Sequence, residues 1–273
     1  MKTIQEEHWK YHSKRTIEKV GAFFVPFLKA GGCCLDAGCG LGSITNSLVK
    51  YVVKNGTGSV YGIDCNPNAI NKAKECFSNI EGLTYAEGNL YDLPYDNNTF
   101  DNVFCHGVII HSEFPEKMLK EFYRVLKPEG TIGISAVDHD SLLLYPENVL
   151  LRKSIWLQEQ IYAKGSGWGS SIREKGNLYI GKKLRSLLFE SGFTDVKGFA
   201  RAECDASPEA IKNAALQQIG ELQSPIFIKK AMELQLTTIE EIEQMKKAWD
   251  NFGQDPCAYR AKIICEAVAR KEN

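Results

Sequence analysis

The tightest constraint on this chain is Leu35-Asp36-Ala37-Gly38-Cys39-Gly40-Leu41-Gly42, which follows directly on a short apolar run. Glycine enters the left-handed backbone region without steric cost and lets backbone approach a ligand closely, so this spacing predicts a strand that turns abruptly into a helix. A helix beginning near Leu41 presents unpaired N–H groups to whatever lies above the turn. About a strand and a helix later, Val60-Tyr61-Gly62-Ile63-Asp64 is an apolar strand ending in a carboxylate. That spacing suits a ribose diol held by an acid at the tip of the second strand.

The rest of the first half repeats the alternation. Apolar strand segments at 33–36, 58–63, 82–86, 100–105 and 130–137 are separated by helical patterns at 42–53, 67–78 and 115–126. Asn66 followed by Pro67 reads as a cap and first turn. Strands alternating with helices predict an α/β fold, a doubly wound and mostly parallel seven-stranded sheet of Rossmann-like type with right-handed crossovers. Residues 13–28 read as a preceding amphipathic helix, with Ile17, Val20, Phe24 and Phe27 on one side and Pro26 weakening its last turn.

Beyond Asp138 the alternation breaks. Residues 141–165 read as largely helical and 164–171 as a glycine-rich tract carrying Trp168. A helix near 181–190 stops at Gly192, a strand follows at 194–200, and 208–251 holds two or three helices, one starting at the capping sequence Thr238-Ile239-Glu240-Glu241. A last strand spans 259–269. The expected organisation is a single domain over 1–273, with an N-terminal helical segment (1–30), a cofactor-binding core (31–140) and insertions at 141–180 and 208–255 that cap the acceptor side.

Composition removes several function classes. A formal net charge of −1 gives no global field for nucleic acid or anionic membrane. No run approaches the roughly 20 apolar residues of a membrane span, and Met1-Lys2-Thr3-Ile4-Gln5-Glu6-Glu7 does not read as a signal peptide. Nine cysteines, with no C-x-x-C pair, indicate neither a disulfide framework nor a zinc or redox site, so reduced thiols and a cytoplasmic location are expected.

The form of the glycine loop separates two cofactor classes. A dinucleotide fingerprint G-x-G-x-x-G would place its third glycine at position 43, where this chain has Ser43. Here the pattern is D-x-G-x-G-x-G, which resembles the first motif of class I S-adenosylmethionine (SAM)-dependent methyltransferases. The stretch Glu87-Gly88-Asn89-Leu90-Tyr91-Asp92-Leu93-Pro94-Tyr95-Asp96-Asn97-Asn98-Thr99-Phe100-Asp101 resembles the G-D-A-x-x-L-P-F-x-D-x-x-F-D block of the ubiquinone/menaquinone-biosynthesis methyltransferases. Val108-Ile109-Ile110-His111 is similar to that family's V-L-x-H, and Tyr123-Arg124-Val125-Leu126-Lys127-Pro128-Glu129-Gly130 to its R-V-L-K-P-G-G. The resemblance is dense over 12–137 and thinner toward the C-terminus. Two departures stand out: Asn89 replaces the aspartate that holds the adenine amino group, and Glu129 replaces a glycine.

The resemblance implies SAM as methyl donor and S-adenosylhomocysteine as product. Asp36, Gly38 and Gly40 would cradle the methionine part, Asp64 the ribose hydroxyls with Cys65 and Asn66 on the same edge, and Asn89 and Leu90 the adenine. Cys105 and His106 would lie beneath the sulfonium, and Tyr11 and Arg15 on a segment closing over it. His106 and His111 are the catalytic candidates; a cofactor contact, a base and a structural histidine are all open for them. Asp138, His139 and Asp140 form a second acid/base group, and no metal site is expected. The expected reaction is an in-line SN2 methyl transfer to a small organic acceptor, for which the enzyme mainly aligns the partners and excludes water. A protein or RNA methyltransferase and a non-catalytic SAM-binding protein are the alternatives. The first lacks a basic patch, and the second would have lost the loop or the ribose acid. Partners are expected to be the acceptor alone, with no nucleic acid or membrane, in a monomer or homodimer.

Overall fold

The computed structural model describes residues 13–163 and 177–272. A 7-stranded sheet has the order β3-β2-β1-β4-β5-β7-β6, with β1 at Cys33–Ala37, β2 at Ser59–Asp64, β3 at Leu83–Glu87, β4 at Phe100–His106, β5 at Leu126–Tyr145, β6 at Thr194–Asp205 and β7 at Tyr259–Arg270. Strands β1 to β5 pair in parallel. β7 runs against β5, because Glu129 and Gly130 exchange backbone hydrogen bonds with Lys271 while Ser141 Oγ accepts from the Ile263 N–H. The doubly wound sheet is the one the alternation predicts.

The chain divides into two compact units: residues 1–136, 180–200 and 265–273 in the first, 137–179 and 201–264 in the second. In the first unit, helices α1 (Ile17–Val20), α2 (Ser43–Val52), α3 (Pro67–Cys76), α4 (Pro115–Val125) and α6 (Leu184–Glu190) accompany the sheet. α3 begins as Asn66-Pro67 predicts, with the Asn66 side chain accepting the N–H groups of Asn68 and Ala69. Ile17, Phe24, Leu48, Val52, Val60 and Phe104 are fully buried in one core cluster.

The helix expected over 13–28 is not there. Only α1 and a 3-10 turn at Val25–Phe27 are helical. A Cβ at Gly21 would lie 2.4 Å from Ile17 Cδ1 and 2.7 Å from Phe104 Cζ, so the backbone itself packs on the sheet there. The apolar positions are core residues, but a bent segment rather than a helix carries them.

The second unit has its own core of Leu151, Leu157, Ile211, Leu222, Ile242, Met245 and Trp249, all close to fully buried. It is built on α5 (Val149–Ala163), α7 (Pro208–Leu222), α8 (Pro225–Glu233) and α9 (Ile239–Gln254). The buried Trp249 indole donates to Ser154 Oγ at 2.8 Å, which satisfies its one polar atom. Thr238 caps α9 by accepting the Glu241 N–H, while the Glu241 carboxylate pairs with Lys153 and Thr237. The helical reading of 141–165 is corrected at its start, since β5 continues to Tyr145. Pro146 disfavours helical backbone at the residue before it, and Asn148 Oδ1 then starts α5 by accepting from the Leu150 N–H at 2.8 Å.

Glu129, the departure from the family's glycine, sits in the left-handed region at φ 62°. Its N–H donates to the Lys271 carbonyl, the Lys271 N–H donates to the Gly130 carbonyl, and the β4–β5 register shifts over the same stretch. This is a bulge whose first position normally takes glycine. Left-handed backbone costs a non-glycine residue roughly 1–2 kcal/mol. The half-exposed Glu129–Arg270 ion pair at 2.8 Å returns at most about 1 kcal/mol. Glu129→Gly is therefore expected to raise the unfolding free energy by about 0.5–1 kcal/mol in urea denaturation; an unchanged or lower midpoint would contradict this account.

Candidate cofactor site

The order of the sheet places β1 between β2 and β4, the point where connections diverge to either side and where open α/β sheets bind ligands. Registers fix the levels. Ala37 pairs with Ile63 and Asp36 with Phe104, so the next step brings Gly38 level with both Asp64 and His106 at the C-terminal edge. Asp64 in turn pairs with Glu87, which leads into Gly88 and Asn89.

The glycine loop is held from several sides. Gly38 has φ 80°, and a Cβ there would lie 2.3 Å from Val108 Cγ2, so the loop after β4 packs directly on this turn. The N–H groups of Gly38 and Cys39 both donate to the Ile63 carbonyl, at 2.8 and 2.9 Å. Gly40 has φ 51°, and nothing lies within 4 Å of where its Cβ would be. Its N–H donates to Asp64 Oδ2 at 2.9 Å, and Asp64 Oδ1 accepts from the Asn66 N–H at 2.9 Å. One half-exposed carboxylate thus ties the glycine loop to the end of β2 and keeps lone pairs for hydroxyl donors. Open space above Gly40, bordered by that carboxylate, fits the methionine and ribose parts of SAM.

Asp36 lies beneath the loop. It is fully enclosed, and the Thr45 hydroxyl donates to its Oδ2 at 2.6 Å. Burial raises its pKa to about 7, with the Thr45 bond opposing and the negative charge of Asp64 adding to the rise. The Tyr85 hydroxyl donates to the Gly42 carbonyl at 2.8 Å, fastening the other end of the loop.

Sequence reasoning missed Thr45, Tyr85 and Val108, whose roles depend on partners distant in the chain. It also missed a fork at Arg124. That guanidinium donates to both Glu121 oxygens, to the carbonyls of Leu93 and Tyr95, and to Asn97 Oδ1, while Glu121 Oε2 accepts from the Leu93 N–H. The arginine of the R-V-L-K-P motif therefore holds the L-P-Y segment, and two sequence blocks that were separate signals form one structure. Asp101 of the F-D pair is similarly employed, accepting from Lys29, Lys127 and the Cys33 N–H. Burial pushes its pKa up, but hydrogen bonds from Lys127 and Lys29 outweigh this and hold it low.

The remaining expected residues fall variously. Asn89 is exposed after β3, with its side-chain oxygen accepting from the Tyr91 N–H at 2.9 Å, and Leu90 is half-buried beside it. Cys65 is exposed at the end of β2. Asn66 Oδ1 is engaged in capping α3. Cys105 is fully buried and its thiol is pushed up in pKa by that burial, and alternation along β4 puts it on the face opposite His106. His106 itself is half-buried, with Nδ1 2.7 Å from Ser135 Oγ. His111 ends a 3-10 turn at Ile109–His111, and Arg15 is half-buried ahead of α1. Tyr11 and the whole glycine-rich tract 164–171, Trp168 included, lie outside the described residues. In the second unit, His139 Nδ1 lies 3.6 Å from Glu159, whose other oxygen accepts from the Tyr179 hydroxyl, and Asp138 is buried. Among the described residues no cluster suited to a metal ion occurs, and no helix is long and apolar enough to cross a membrane.

Comparison with known proteins agrees with this geometry. A family model described as a methyltransferase domain matches residues 35–134. An uncharacterized methyltransferase of Schizosaccharomyces pombe is 33% identical over 214 residues, 74% of this chain and 71% of that protein. This chain belongs to the class I SAM-dependent methyltransferases. A demethylmenaquinone methyltransferase of Shouchella clausii is 29% identical over 62% of this chain and 73% of its own length. Among solved structures, a phosphoethanolamine N-methyltransferase of Haemonchus contortus in complex with SAM matches with a TM-score of 0.55 at 18% identity, over 92% of this chain and 52% of the other. That match supports the fold of this methyltransferase.

The raised pKa of Asp36 has a consequence for stability. A carboxyl that binds its proton more tightly folded than unfolded makes stability fall as pH rises from about 4 to about 7. Asp36→Asn removes that slope, so the variant should gain on the wild type by a few kcal/mol between pH 4 and 7 and keep the gain above it. Urea denaturation at pH 5 and pH 8 checks this; an equal difference at both values would contradict it.

Proposed function

We propose that this methyltransferase moves the SAM methyl group to a small organic metabolite rather than to a protein or nucleic acid. The observation that carries the reading is the level alignment of Gly38, Asp64 and His106 at the edge of the sheet, in a chain of net charge −1. Similarity to a protein named demethylmenaquinone methyltransferase over most of its length supports a small-molecule acceptor.

In this reading Gly38 and Gly40 leave room for the methionine part, and Asp36 positions the loop from below through Thr45. Asp64 accepts the ribose hydroxyls while holding the Gly40 N–H, beside Cys65 and the backbone of Asn66. Asn89 and Leu90 border the adenine, with Asn89 binding more weakly than an aspartate because it lacks the charge. His106 and His111 face the acceptor, and Arg15 and Tyr11 complete the cover over the cofactor. Bound SAM supplies a methyl group on a leaving group that needs no protonation, so the protein's task is alignment and exclusion of water. A monomer or homodimer acting in the cytoplasm, without nucleic acid or membrane, completes the proposal.

Incubation with methyl-labelled SAM tests it against a deproteinised metabolite extract, total RNA and total protein in parallel. The label is expected in the low-mass fraction. Labelled RNA or protein, with the low-mass fraction blank, would contradict the proposal.

A further inference from the structure

Arg124, on the last turn of α4, has every donor engaged. Its Nε and Nη2 meet the two Glu121 oxygens, each at 2.8 Å. The other bonds reach the segment after β3: Nη1 donates to the Tyr95 carbonyl at 2.8 Å and to Asn97 Oδ1 at 3.0 Å, and Nη2 to the Leu93 carbonyl at 3.0 Å. A guanidinium carries five N–H donors in one rigid plane, and here all five are used. Glu121 Oε2 also accepts from the Leu93 N–H at 2.8 Å. One ion pair therefore holds the buried Leu93 by both of its backbone polar groups. Hydrogen bonds from Arg124 keep the Glu121 carboxyl below the usual carboxylate range although burial opposes them, so the pair is charged at neutral pH.

This hold closes a short span. At its other end the Gly88 N–H donates to the Asp64 carbonyl at 3.1 Å, and a Cβ at Gly88 would lie 2.5 Å from Ile63 Cδ1, so Gly88 is pinned against β2. Between the two fixed points lies the turn 89–92. Within it the Asp92 N–H donates to the Asn89 carbonyl at 3.1 Å, and the Tyr91 N–H to Asn89 Oδ1 at 2.9 Å. Where Asn89 and Leu90 stand thus follows from β2 on one side and α4 on the other.

We propose that Arg124 and Glu121 are positioning residues for the adenine of the cofactor, setting the 89–92 turn before the ligand arrives and acting through Leu93. The proposal rests on the reading that Asn89 and Leu90 border the adenine. It divides cofactor recognition in two. Asp64 serves the ribose and the glycine loop, whereas the ion pair on α4 serves the purine. Lysine cannot replace Arg124 here, because one compact ammonium cannot meet both carboxylate oxygens and two separate carbonyls at once.

The test compares two ligands on the full chain by calorimetry: S-adenosylhomocysteine, and S-ribosylhomocysteine, which lacks only the adenine. The weaker ligand is measured by displacing it with the stronger. In Arg124→Lys the affinity ratio between the two should fall about tenfold, the change expected on losing one hydrogen bond, while S-ribosylhomocysteine binds as in the wild type. An arginine of purely structural importance would weaken both ligands alike; an unchanged ratio therefore overturns the proposal. Asn89→Ala, measured in parallel, separates the proposal from the reading beneath it. A lower ratio in Asn89→Ala but not in Arg124→Lys overturns the proposal alone, and an unchanged ratio in both overturns the adenine reading with it. Should Arg124→Lys not fold, Glu121→Gln breaks the same ion pair and is judged by the same ratio.

Discussion

Everything in the cofactor site depends on β1 being paired in parallel on both sides. With β2 on one flank and β4 on the other, the registers bring the ends of all three strands to one level. The glycine turn, the Asp64 carboxylate and His106 then lie at one level along the edge of the sheet. A one-residue slip on either side would reverse the facing of every side chain on that strand, so the buried faces of Leu35, Val60 and Phe104 enforce the register.

Bonds from side chain to backbone hold the loops above this edge. Asp64 fixes the glycine loop from β2, Tyr85 fixes it from β3, and Val108 packs on it from the loop after β4. Arg124 does the same for residues 93–97 from the surface of α4. The bonds from Asp64 and Tyr85, and those from Arg124 to residues 93 and 95, end on main-chain atoms, so they do not depend on the side chains at the positions they hold. The arrangement suits a fold that retains one cofactor site while its acceptor side varies.

The parts of this structure that local pattern governs were legible in the sequence. Strands β1 to β4 and helices α2 to α4 follow from apolar runs, the Asn66-Pro67 cap and glycine placement. Asp64 was legible because an acid at a strand tip leaves a spacing signature. Thr45 and Tyr85 were not, because each acts on an atom 9 and 43 positions away, respectively. Residues 13–28 misled because Ile17, Val20, Phe24 and Phe27 have helical spacing, whereas close approach of Gly21 to Phe104 bends the chain. The extension of β5 to Tyr145 went unread because its later residues, Leu142 to Leu144, suit a helix equally well.

The most direct test of the site is isothermal titration of S-adenosylhomocysteine into the wild type and into Asp64→Asn. One site per chain is expected in the wild type. In the variant, which keeps one acceptor oxygen but loses the charge, affinity should fall at least about tenfold, the loss expected for charge-assisted hydrogen bonds. Equal affinity in the two proteins would remove Asp64 from the site, and no binding to the wild type would contradict the cofactor assignment itself.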